Sequence, residues 1–181
     1  MPTTVHSSVL YDVDDCKISK LLTDTTTAPT YATPSVDLPG IASVSLQPNI
    51  QNSSLKGDAK VIARKGVTDS YAISASYGRL SLDALVILIG GTITDGTGNA
   101  KWAHQGKNSL PYFKVQTQII QSDVADVHFT AYKAQVTGGS LIDQSTDSFG
   151  QPSIDMEAIP TISNDALFVD IEFFDVLTPL T

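Results

Sequence analysis

The sequence predicts a mainly β fold: a β-sandwich or barrel with one short packed α-helix and a long hairpin loop. Three observations predict it. Stretches of period-two alternation recur along the chain, only one apolar stretch carries helix caps at both ends, and neither a fixed repeat nor a Gly/Ser-rich linker divides the 181 residues.

Taken in order, residues 1–37 show little periodicity. They contain Pro29, Pro34 and a Thr run at 25–27, and are expected to form an N-terminal arm with one strand around Lys17 to Leu22. The remainder, residues 38–181, is expected as the β domain. Ile41, Val44 and Leu46 among small polar residues give the first strand of that domain, and Pro48 is expected to limit its pairing. Tyr71, Ile73, Ala75 and Tyr77 share one face of the next strand. Between them, Gln51 to Gly66 is rich in Asn, Ser, Lys and Gly and is expected as the hairpin loop, with some strand around Ala59 to Arg64.

Ser81 can cap a helix, Asp83 suits its first turn, and Gly90-Gly91 ends it. Leu82, Leu85, Val86 and Ile89 follow helical spacing and are expected to be buried against a sheet. Asp95-Gly96 and Gly98-Asn99 carry hairpin-turn chemistry. Further strands are expected at Pro111 to Gln121, with Phe113, Val115, Thr117 and Ile119 on one side, and at Asp126 to Val136. In the second, Val127, Phe129 and Ala131 oppose His128, Thr130 and Tyr132. Gly138-Gly139 is expected to break the pattern. Ile154, Met156 and Ala158 give another strand, and Leu167, Val169, Ile171 and Phe173 the last.

Charge excludes some functions. Eleven basic residues against 19 acidic ones give a net −8, and no basic cluster is evident, so tight binding to nucleic acid is not expected. Only 17% of residues are charged, which fits a surface partly covered by copies of the same chain. Met1 to Ser8 has neither a basic region nor an apolar core, so no secretory signal is expected, and Ala84 to Ile89 is too short to span a bilayer. Cys16 is alone and can form no internal disulfide.

Catalytic and metal-binding patterns are weak. His6, His104 and His128 are far apart and lack partners at ligand spacing. Neighbouring carboxylates would raise the Cys16 thiol, the wrong direction for a nucleophile. Asp12, Asp14 and Asp15 are expected as a solvated loop; a calcium loop would need Gly at position 17 and Glu at 23, where Lys17 and Thr23 stand. Asp95 to Gly98 lacks the following helix that a phosphate cradle requires. No enzyme and no cofactor is therefore expected.

The order of these features resembles the major tail (tail tube) proteins of long-tailed bacteriophages. Leu38-Pro39-Gly40-Ile41-Ala42-Ser43-Val44-Ser45-Leu46 is similar to that family's opening strand, and Gly57-Asp58 to a pair in its long loop. Ser81 to Gly90 matches its short apolar helix. Pro111-Tyr112-Phe113-Lys114 and Asp126 to Val136, with Tyr132-Lys133-Ala134, match its later strands. The resemblance covers residues 38–137 and, loosely, 164–174.

It implies a β-sandwich with a flanking helix, six of which form a ring, the rings stacking into a tube that conducts DNA without specific binding. It also implies tape measure, tail terminator and baseplate or tip proteins as partners, no membrane, assembly in the host cytoplasm and residence in the virion. The loop residues Asn52, Ser53, Ser54, Leu55, Lys56, Asp58 and Lys60 are expected to contact the next ring, since a loop so long is commonly functional. Two alternatives share the sandwich: a carbohydrate-binding or adhesin-like module, for which Trp102 is the one candidate platform, and a head-tail connector or decoration protein.

Overall fold

A computed structural model describes residues 12–58, 60–106, 109–122, 125–144, 146–147, 149–163, 166–174 and 176–180. The first eleven residues of the expected arm, with His6, and Ala59 lie outside them. Among the described residues the strands are β1 (Asp12–Asp24), β2 (Pro29–Tyr31), β3 (Val36–Asp37), β4 (Ile41–Gly57), β5 (Lys60–Tyr77), β6 (Thr92–Gly96), β7 (Asn99–Ala103), β8 (Phe113–Ser122), β9 (Ala125–Ser140), β10 (Ser153–Ala158) and β11 (Val169–Phe174). Helix α1 spans Leu82–Leu88.

Nine strands join one antiparallel sheet in the order β2-β1-β8-β9-β10-β5-β4, with β3 beside β1 and β11 beside β9. The long β9 serves two partners along its length: its first half pairs with β11 (Val169 opposite Ala131) and its second with β10 (Ala158 opposite Ala134). Expected alternation holds on these strands. Phe113, Val115 and Thr117 are buried, as are Val127, Phe129 and Ala131, and Ile154, Met156 and Ala158. Together with Ile73, Ala75 and Tyr77 of β5 they line the inner face of a sheet that curls until Val44 and Leu46 of β4 pack on the same core. This mainly β, sandwich-like fold is the one the sequence predicts.

The strand expected around Lys17 to Leu22 is longer than the arm reading suggested. β1 begins at Asp12 and pairs with β8 from Asp12–Ile120 to Lys20–Phe113. Its Cys16 and Ile18 are each 1% exposed. The acidic stretch Asp12 to Asp15 is thus strand and not loop. A register shift between Val13 and Asp15 accommodates it.

Helix α1 is capped as expected: the Ser81 hydroxyl accepts from the Ala84 N–H at 3.3 Å. It buries Ala84, Leu85, Ile87 and Leu88 and lies near β1, β3 and the β6–β7 hairpin. Of the four residues expected to be buried, Leu85 is, while Leu82, Val86 and Ile89 are half-buried. After the helix, Gly91 adopts φ +98°, where a Cβ would stand 2.6 Å from the Ala103 carbonyl oxygen. The β6–β7 hairpin can close onto the helix end only because no side chain is there.

Two expectations about breaks are corrected. Pro48 does not limit pairing: the β4–β5 ladder passes through Pro48 opposite Tyr71. β4 is the edge strand, so a missing N–H is tolerated on its outward side. Gly138-Gly139 does not end β9, which runs to Ser140 through a register shift against β10. Gly139, at φ +118°, approaches the Ser153 carbonyl so closely that a Cβ would clash at 2.3 Å.

Candidate assembly surface

The expected loop from Gln51 to Gly66 is a two-stranded ribbon. β4 and β5 stay paired from Ile41–Tyr77 to Gly57–Lys60, and the chain reverses at Asp58 with φ 48°. A ladder needs only backbone N–H and C=O groups, so polar, Gly-containing sequence can sustain it. Beyond Ile50 the ribbon extends roughly 24 Å at about 3.4 Å per residue, and its side chains from Gln51 to Lys56 and from Lys60 to Asp69 are exposed.

Ile50, Leu55, Val61, Ile62 and Val67 are all more than half exposed, at 53–66%. The charges gather there as well. Lys56, Lys60, Arg64 and Lys65 against Asp58 are four of the chain's 11 basic residues and one of its 19 acidic ones. The expectation of no basic cluster is therefore corrected, and the spacing of these four cations within ten residues was the signal available for it. Asn52, Ser53, Ser54, Leu55, Lys56, Asp58 and Lys60, the expected contact residues, all lie exposed on this ribbon.

At the ribbon's root the curled sheet leaves an open apolar cleft of about 400 Å³. Val44 and Leu46 of β4 form one wall; Thr117, Ile119, Val127, Phe129, Ile171 and Phe173 form the other. Ile171 and Phe173 are 56% and 41% exposed. Asp12, Asp14 and Glu172 are exposed at this end of the sheet; Asp12 pairs with Ile120 and Glu172 with His128, so these two stand on the face opposite the cleft.

Groups that could carry chemistry are occupied structurally. Burial, then Asp15 and Asp37, push the Cys16 thiol up to about 12. His128 lies 3.1 Å from the buried Asp126 carboxylate, and its ring packs on Phe174 at 4.4 Å. Asp126 also accepts from the Gln118 amide at 2.5 Å and from the Thr178 N–H at 2.9 Å. The segment after β11 is tied down again where the Lys17 ammonium donates to the Leu180 carbonyl and Leu180 is buried. Sequence reading missed this cluster, since its members lie 52 residues apart. Among the described residues no group of three or more His, Cys, Asp and Glu side chains could hold a metal. Trp102, the candidate sugar platform, donates its indole N–H to the Gly90 carbonyl at 2.9 Å and stacks on His104. Its polar edge serves the helix end.

No protein-family model matches the chain, and no curated protein matches it either. Chains in solved structures of the anti-feeding prophage are among those similar to it. One is the tube-terminating cap of the anti-feeding prophage, at 13% identity over 95% of this chain and 99% of that one, with a TM-score of 0.40. Another is the six-fold symmetrised baseplate of the same particle, at 10% identity over 97% of this chain and 99% of that one, with a TM-score of 0.35.

Proposed function

We propose that the chain is a non-enzymatic structural subunit of a phage tail tube, self-associating as hexameric rings that stack into a conduit for DNA. The observation that carries the reading is the edge strand β4. All 17 of its residues lie at the end of the main sheet's strand order, and its far half projects with apolar side chains in water. Register shifts at Ile41/Ser43, Asn49/Ile50 and Leu55/Lys56 and the missing N–H of Pro48 interrupt this edge without covering it, and an open ladder recruits other chains. A neighbouring copy supplies the missing cover. The kind of assembly rests on the feature order along residues 38–137, and with it come the tape measure, terminator and baseplate or tip proteins as partners, and a place in the virion after assembly in the host cytoplasm.

Within this reading the ribbon makes the ring-to-ring contact. Residues 12–37 then have a role of their own while their strands β1 and β3 pair within the common sheet. The net −8 of each chain leaves a conduit wall that repels phosphate and lets DNA slide. Sedimentation across a concentration series tests the proposal. Six-subunit species and larger multiples are expected; a monomer at every concentration overturns it, and assembly that stops at one ring points to a connector.

A further inference from the structure

We infer that the apolar cleft between β4 and the β8–β9–β11 wall is the receptor for the β4–β5 ribbon of a second copy of this chain. The inference deepens the assembly reading and rests on it.

Chemistry selects the occupant. The cleft is apolar and large enough for several aliphatic side chains, and the ribbon end presents Leu55, Val61 and Ile62 in that class. Left apart, both surfaces hold apolar groups in water; joined, each covers the other. Charge points the same way. The stretch from Gln51 to Gly66 holds four basic residues and one acidic one, so it is formally +3. The rest of the chain, with the remaining seven basic and eighteen acidic residues, is −11. Asp12 and Glu172 are exposed at the same end of the sheet on the face away from the cleft, where they pair with Ile120 and His128, and they add to the negative charge of the body. Lys56, Lys60, Arg64 and Lys65 form no ion pair within their own chain among the described residues. A cationic ribbon and an anionic body attract between copies and set orientation, while the apolar contact holds the pair.

The contact is heterologous, ribbon to cleft. One copy therefore offers both a donor and an acceptor, and the arrangement propagates instead of ending at a pair when each acceptor takes the ribbon of a different copy.

Site-directed cross-linking tests it. Ile62→Cys and Phe173→Cys are made in separate chains, which are mixed and mildly oxidised. Cys16 is buried and does not compete. Disulfide-linked heterodimers are expected in the mixture, and an Ile142→Cys chain, exposed and not among the residues that line the cleft, should not replace the Phe173→Cys partner. Assemblies that form normally while Ile62→Cys links no better to Phe173→Cys than to Ile142→Cys overturn the cleft as receptor and leave tube formation standing. A protein that neither assembles nor cross-links overturns both. As a second arm, Lys56, Lys60, Arg64 and Lys65 are changed together to Gln. Assembly should weaken at least tenfold and duplex DNA binding should be unchanged. Intact assembly with loss of duplex binding would instead make the ribbon a nucleic-acid arm and overturn the inference.

Discussion

The Lys133 ammonium lies 2.7 Å from the Asp24 carboxylate, joining the middle of β9 to the last residue of β1. The pair is largely covered, with side chains 11% and 10% exposed. The Asp24 carboxylate also accepts from the Ile162 N–H at 2.9 Å, and Lys133 sits 5.0 Å from the Tyr112 ring centre. One ion pair thus fixes the end of β1, a β9 side chain and the chain that leaves β10.

That pair gives the fold an acid limb. Burial alone would raise the Asp24 carboxyl, but the hydrogen bonds from Lys133 and Ile162 and the Lys133 charge outweigh it and hold it below its ordinary value. A lowered folded value means stability that is present above the unfolded value, about 3.9, and lost as pH falls through the folded one. Asp24→Ala should cost about 3 kcal/mol at pH 7, because it leaves Lys133 covered and unpaired. Urea unfolding at several pH values checks this. The difference from wild type should shrink below pH ~4; a pH-independent difference contradicts it.

Cys16 should be inert in the folded protein. Its thiol is pushed up to about 12, first by burial and then by Asp15 and Asp37. An aromatic disulfide reagent at pH 8 should label it only after denaturant is added. Stoichiometric labelling of the native protein within minutes would show that β1 opens readily from β8.

Helix α1 should be integral to the core. Leu88 is 1% exposed and Leu85 5%. Leu88→Ala should destabilise by roughly 2–5 kcal/mol, and Leu85→Asp should abolish soluble folding, since it buries an unpaired charge. A soluble Leu85→Asp monomer with native circular dichroism would make the helix an interface element.

The segment after β11 should act as a clamp on the outer face. Removing residues 178–181 takes the Thr178 N–H from Asp126 and the Leu180 carbonyl from Lys17. An unfolding loss of about 1–3 kcal/mol is expected from the buried carboxylate left short of a donor. An unchanged urea midpoint contradicts the assignment.

The inner face of the sheet was legible because burial on one side imposes period two. Phe113 to Ile119, Val127 to Ala131 and Ile154 to Ala158 alternate for that reason. Ser81 and Gly90-Gly91 were equally plain, since capping is local chemistry. Of the ribbon, only the strand expected around Ala59 to Arg64 was legible, and β5 runs through Lys60 to Arg64. The ribbon's ladder is held by backbone groups and nothing buries either face, so Asn52, Ser53 and Ser54 carry no alternation to find. Pro48 misled because only topology tells an edge strand from a central one. The Asp126 cluster was hidden because Gln118, His128 and Thr178 meet it through strand pairing and a return of the chain. The cleft was hidden for a related reason: Val44 and Phe173 are brought together by the curl of the sheet, at opposite ends of the chain.

Electron microscopy of the purified protein at high concentration tests the central claim most directly. Six-fold rings stacked into tubes are expected, with density for the β4–β5 ribbon running from one ring onto the next. Single particles of monomer size at every concentration, with no rings or tubes, would contradict it.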